Sequence, residues 1–199
     1  MTERGGLPTG LVTPRAIIRL AVTDDLTQID TWPPYPPAYA WANMVPPELP
    51  ERQLWWRRID WPDRAHYSVV DRISREILGV YAFTKIDWLV PEIGNMVIRI
   101  RPDWCDRRLG RETLAPLLRA MLEAGFRRIR LDVAGPNSRA IRCYENCGMT
   151  KSEEFWREGE IPSNPDDPTW PSLRPHLRRA EDKWMVRFYW MELAAADRP

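Results

Sequence analysis

The chain has 199 residues, a length that suits one domain with a substantial buried core. Its 29 Lys and Arg against 28 Asp and Glu leave a formal charge of +1 without any block of like charges, which argues against bulk electrostatic binding to nucleic acid. No apolar run approaches the roughly 18 residues that span a bilayer, and Met1 to Leu20 is broken by Arg4, Gly5, Gly6, Pro8, Pro14 and Arg15, so the expectation is a soluble cytoplasmic protein with no membrane partner. Three cysteines, Cys105, Cys143 and Cys147, are an odd number in a chain too large to need staples and read as reduced thiols.

Arg15 to Val22 alternates as a first strand, and Thr23, Asp24 and Asp25 supply a cap and an acidic first turn for a short helix ending near Asp30. Residues 32–50 then interleave seven prolines with Trp32, Tyr35, Tyr39 and Trp41, a composition that favours extended backbone with aromatic faces. A helix over 51–59 carries Trp55 and Trp56. Strands follow at Ala65 to Asp71, Glu76 to Lys85 and Asn95 to Arg101, joined by connections too short for crossovers and therefore antiparallel.

After Pro102 the period changes. Leu114, Leu117, Leu118, Met121 and Leu122 recur at helical spacing on one stripe that ends near Gly125. Pro116 lies inside that stripe and is tolerated if the helix starts at a Thr113 cap. Arg128 to Ala134 is a strand and Ser138 to Asn146 a helix stopped by Gly148, which places one parallel strand pair in an otherwise antiparallel sheet. Lys151 to Ile161 and Lys183 to Leu193 complete the sheet. Between them 162–182 is a second proline-rich insertion, too long for a hairpin turn.

Two segments suit chemistry. Pro102 to Arg111 joins a strand to a helix and holds Gly110 beside Arg107, Arg108 and Arg111, a combination of free helix N–H groups and guanidinium groups suited to phosphate, or equally a solvated surface. There is neither a Walker lysine nor a G-x-G-x-x-G run. The second segment runs from Asn137 through Ala140 and Tyr144 to Gly148 and Met149; Tyr144 there either packs on the sheet or meets a ligand.

Taken together these segments resemble the GNAT superfamily of N-acetyltransferases. Ile100-Arg101-Pro102 matches the family's strand ending, and Asn137, Ala140, Tyr144, Gly148 and Met149 match N-x-x-A-x-x-x-Y-x-x-x-G-F with Met for Phe. In the glycine loop, keeping the leucine stripe in phase sets Cys105 at the Gln/Arg position, Arg108 at the first glycine and Gly110 at the second.

The resemblance implies a single α+β domain over 1–199: a mainly antiparallel sheet with one splayed parallel pair, helices on both faces, and the two proline-rich insertions. It implies acyl transfer from acetyl-CoA, without a metal, to a primary amine of a small molecule or peptide. Ile98 and Ile100 would hold the pantetheine arm, Arg107, Arg108, Leu109, Gly110 and Arg111 the pyrophosphate, and Asn137 a further part of the cofactor. Tyr144 would be the acid and Glu92 the base, the competing reading of Glu92 being a solvated loop carboxylate. Trp32, Tyr35, Trp41 and Trp55 would line the acceptor side, or else form core or homodimer contacts. The alternative function on the same scaffold is a noncatalytic acyl-CoA-binding or protein-interaction module.

Overall fold

The computed structural model describes residues 6–35, 61–159 and 170–195. The expected helix over 51–59 and the aromatic residues Tyr39, Trp41, Trp55 and Trp56 lie outside these residues. A short β1 (Leu11–Val12) leads into β2 (Ala16–Leu20), α1 (Asp25–Asp30), β3 (Arg64–Asp71), β4 (Ile77–Asp87) and β5 (Glu92–Ile100). Then come α2 (Leu109–Glu123), β6 (Arg128–Ala134), α3 (Ser138–Asn146), β7 (Thr150–Glu158), α4 (Trp170–Leu173), β8 (Leu177–Ala180) and β9 (Lys183–Ala194). The described strands form one sheet in the order β1-β2-β3-β4-β5-β6-β9-β7, with β8 paired to β9.

Every pairing is antiparallel except β5 with β6. That parallel pair is brief: only Glu92↔Arg128 and Ile93↔Ile129 are in register, after which the strands part. In the neighbouring β4–β5 hairpin the register runs unshifted from Thr84↔Asn95 to Ile86↔Ile93, with Lys85 and Gly94 not paired between them. Lys85 is left-handed at φ 56°, and a side chain at Gly94 would come within 3.0 Å of Lys85 Cβ. Ile93 and Met96 both join the same core although they are an odd number of residues apart.

The leucine stripe behaves as its spacing predicts: Leu114, Leu117, Leu118 and Met121 are all fully buried, against Tyr81, Phe83, Ile129 and Leu131 of the sheet. Ile141 and Tyr144 of α3 join the same cluster, so α2 and α3 share one face of the sheet. Burying each such side chain is worth about 1.5–3 kcal/mol. On the opposite face α1 contributes Ile29, packed with Val70, Ile77 and Val80.

Several boundaries differ from the sequence expectation. β5 begins at Glu92 rather than Asn95, so Glu92 is a strand residue and not a loop carboxylate. α2 begins four residues before Thr113, with Pro116 in its interior. Thr113 is not a cap: it is buried, donates to the Leu109 carbonyl at 2.8 Å and pairs with the Tyr81 hydroxyl. The insertion over 162–182 is not wholly irregular, since α4 and β8 form within it and β8 adds to β9.

Two charged clamps fix the N-terminal strands. Asp25 is 4% exposed and receives Arg19 through both oxygens at 2.7 and 2.8 Å, the Ser68 hydroxyl at 2.6 Å and the Val22 N–H at 3.0 Å. These donors hold its carboxyl below the usual range against the opposing effect of burial. Glu112 on α2 receives the Thr13 hydroxyl and the Arg15 N–H, each at 2.9 Å, and Arg15 Nε at 2.7 Å, tying the β1–β2 turn to the helix start.

Candidate active site

Where β5 and β6 part, their ends and the first turns of α2 and α3 enclose a cavity of about 540 Å3. β5 presents Ile98 and Ile100, the α2 start presents Arg108, Leu109, Gly110 and Arg111, and α3 presents Asn137, Ala140, Cys143 and Tyr144. Most of the residues singled out by the sequence thus converge on one space.

The α2 start owes its shape to two left-handed residues, Asp106 at φ 58° and Arg108 at φ 61°. That conformation favours glycine, and Arg108 stands where the aligned motif has its first glycine, which supports the register that kept the leucine stripe in phase. Arg108 caps α2 without any side-chain bond, so the first-turn N–H groups of Leu109, Gly110 and Arg111 are not satisfied by a cap. An anion is the ligand such a turn favours. A side chain at Gly110 would come within 2.8 Å of Cys143 Sγ, so only glycine lets α3 approach the cradle this closely. The cavity is strongly cationic: among the described residues Arg108, Arg111, Arg139 and Arg142 line it against one acid, Asp106. Asn137 Oδ1 accepts from the Ala140 N–H at 3.2 Å and caps α3, so its role in the cavity is joined to a structural one.

Tyr144 is 7% exposed and its hydroxyl makes no hydrogen bond among the described residues, although it lines the cavity. Burial, with the nearby Cys143, Cys147 and Asp132, pushes its phenol well above the ordinary value near 10. It therefore carries its proton throughout the physiological range and can act only as a donor.

Other residues stand apart from this space. Arg107 does not line the cavity: its guanidinium lies over the Trp104 ring at 5.4 Å, and its carbonyl accepts from Arg15 Nη2 at 2.9 Å. Trp32, expected on the acceptor side, packs instead against the small cluster under α1. Tyr35 is 6% exposed and lines the cavity beside the α2 and α3 starts, with its hydroxyl donating to the Ile100 carbonyl. Proximity to a proline-rich run carried no information about which mouth of the cleft it would reach. Trp41 and Trp55 lie outside the described residues.

Glu92 lies at the paired root of the splay and bonds Arg128 Nη2 at 2.7 Å. Arg128 alternates with the buried Ile129, Leu131 and Val133, so this pair occupies the sheet face away from α2 and α3. His176, to which the sequence assigned no role, accepts from Arg187 Nη2 at 2.9 Å and packs against Gly135 just beyond β6. Burial, reinforced by Arg187, holds its pKa below the ordinary histidine value. Among the described residues no group of His, Cys, Asp and Glu is gathered for a metal, and no helix is long and apolar enough to cross a membrane.

The defining pattern of the acetyltransferase (GNAT) family matches residues 27–149. No curated protein matches the chain. Among solved structures it is similar to a spermidine N-acetyltransferase from Vibrio cholerae in complex with CoA and spermine, at 17% identity over 90% of this chain and 95% of that one, TM-score 0.65. It is also similar to the spermidine/spermine N-acetyltransferase of the same organism in complex with manganese ions, at 16% identity over 90% and 92%, TM-score 0.63. At these identities the likeness is one of fold.

Proposed function

We propose, for a chain that belongs to the acetyltransferase (GNAT) family and takes its acetyl group from acetyl-CoA, that the acceptor is a primary amine of a small molecule or peptide, acetylated at the β5–β6 splay. The observation that carries this reading is the convergence of an uncapped helix start, a cationic wall and an unpartnered tyrosine hydroxyl on one cavity at the splay. These residues suit the donor. The N–H groups of Leu109, Gly110 and Arg111 with the guanidinium of Arg108 would hold the pyrophosphate, and the exposed edge of β5 at Ile98 would hold the pantetheine arm as an added strand. Tyr35 already occupies the Ile100 carbonyl, so Ile100 contributes its side chain more than that oxygen.

The thioester supplies an activated acyl carbon, and the chain must then manage two protons. An amine attacks only after losing one; Glu92, which pairs with Arg128 at the root of the splay and does not itself line the cavity, is the candidate base for that proton, directly or through water. The second proton goes to the departing thiolate, toward which Tyr144 Oη donates from the cavity wall. Burial keeps the phenol protonated ahead of the reaction, and the phenolate left after donation regains its proton from solvent before the next turnover.

The test is a panel of amines that includes spermidine, spermine, lysine-terminated peptides and amino sugars, with free thiol release and product mass followed together. An acetylated amine formed in step with thiol supports the reading. Coenzyme A binding with no transfer to any amine would instead place the chain among noncatalytic acyl-CoA binders.

A further inference from the structure

The mechanism leaves the two cysteine thiols of the cavity, Cys105 and Cys143, unused. Cys143 lines it between Gly110 and Tyr144, half-buried, and its Sγ lies 2.8 Å from where a Gly110 side chain would begin, which puts the sulfur against the first turn of α2. A helix N-terminus and neighbouring arginines are the two surroundings that most favour a thiolate, and Arg139 and Arg142 stand on the same helix. Cys147 follows one turn later on the same face of the helix. The neighbouring Cys147 thiol, helped by Arg139, lowers the Cys143 pKa against the effect of burial.

Cys105 is an internal contrast. It lines the same cavity, but its thiol points at the carbonyls of Ile100 and Arg101, each at 3.7 Å, and burial pushes its pKa up. The cationic walls that suit a phosphorylated cofactor also draw any other small anion toward Cys143.

We propose that Cys143 is a modification site for the disulfide of an anionic low-molecular-weight thiol, and that its adduct closes the cofactor cavity. The proposal rests on reading that cavity as the acetyl-CoA site. The Cys143 thiolate attacks one sulfur of the incoming disulfide, a new S–S bond forms as the old one breaks, and the second thiolate leaves with the electron pair and takes a proton from water. Cys143 is oxidised and the released thiol is the reduced product. A group on Cys143 Sγ stands against Gly110 and fills the space that the pyrophosphate requires. Attack by Cys147 on the Cys143 sulfur would release the low-molecular-weight thiol and leave a Cys143–Cys147 disulfide, which an external thiol must then reduce to restore both cysteines.

The experiment uses the full chain, calorimetric titration with coenzyme A, and glutathione disulfide as the probe. After incubation, intact mass and peptide mapping should find one glutathionyl group, on Cys143, formed at least ten times more slowly in saturating coenzyme A. The modified chain should lose coenzyme A binding and recover it with dithiothreitol. Cys143→Ser should take no adduct, and Cys147→Ser should retain it longer than the wild type. An unmodified Cys143 in the Cys147→Ser chain, preferential reaction at Cys105, or undiminished coenzyme A binding by the adduct would each overturn the proposal. Failure of the untreated chain to bind coenzyme A would overturn the cofactor reading and the proposal with it, a result distinct from all of these.

Discussion

Replacing Gly110 with alanine sets two effects against each other, and the structure states which residue decides between them. Gly110 lies in the first turn of α2 with no left-handed φ, so the backbone accepts alanine, and removing a glycine from a helix is worth up to about 1 kcal/mol. The added Cβ, however, would stand 2.8 Å from Cys143 Sγ, closer than such contacts occur. A cysteine has only χ1 with which to retreat, and overpacking of this kind costs about 1–3 kcal/mol. Gly110→Ala alone should therefore be neutral to destabilising by about 2 kcal/mol, which for a chain of this size lowers Tm by roughly 2–4 °C for each kcal/mol. In a Cys143→Ala background the obstructing atom is gone, and the same substitution should stabilise by up to about 1 kcal/mol. The predicted coupling is thus about 1–3 kcal/mol, read from urea midpoints at constant m. Equal effects in both backgrounds, within about 0.5 kcal/mol, would refute the contact between the cradle and α3.

Three further outcomes follow from contacts of single residues. Asp25 has its folded pKa depressed below the unfolded one, so its contribution is present above the unfolded pKa near 4 and is lost as pH falls through the lower folded value; Asp25→Asn should flatten the acid limb of the stability curve and cost about 1.5–3 kcal/mol at neutral pH, measured by urea titration. Tyr35→Phe removes the stronger of two donors to the Ile100 carbonyl, leaving it the long Cys105 contact, and should lower stability by about 0.5–1.5 kcal/mol while raising the KM for acetyl-CoA and leaving the acceptor KM unchanged, the reverse of an acceptor-side residue. Glu92→Gln should reduce kcat by about 100-fold to 10,000-fold in steady-state assays while calorimetric coenzyme A affinity holds; full turnover would return Glu92 to a partner of Arg128 alone.

What the sequence disclosed tracks periodicity. The stripe from Leu114 to Met121 and the alternation of Arg128 to Ala134 both carry a repeating burial pattern, and the structure buries the residues those patterns select. The motif spacing from Asn137 to Tyr144 likewise placed both residues on one cavity, because a helix converts spacing directly into a shared face. Where the outcome depended on a tertiary partner, the residues gave no signal. Arg107 has the composition of an anion ligand, but Trp104 offers its guanidinium a ring and Arg15 fixes its carbonyl, turning it from the cavity. Thr113 has the composition of a cap but answers to Tyr81 across the core. Lys85 adopts a left-handed backbone opposite Gly94, and neither a lysine nor a single glycine in a strand announces such a residue.

The central claim is that the cavity holds the donor and that Tyr144 delivers a proton within it, and the most direct measurement is the effect of Tyr144→Phe on turnover and on coenzyme A affinity in the same preparation. Phenylalanine keeps the ring that packs with Ile141 and removes only the hydroxyl. On an amine that the wild type acetylates, kcat should fall by about 100-fold to 10,000-fold while the calorimetric Kd for coenzyme A changes by less than about threefold. Undiminished kcat, or a loss of coenzyme A affinity large enough to account for the lost rate, would contradict the account.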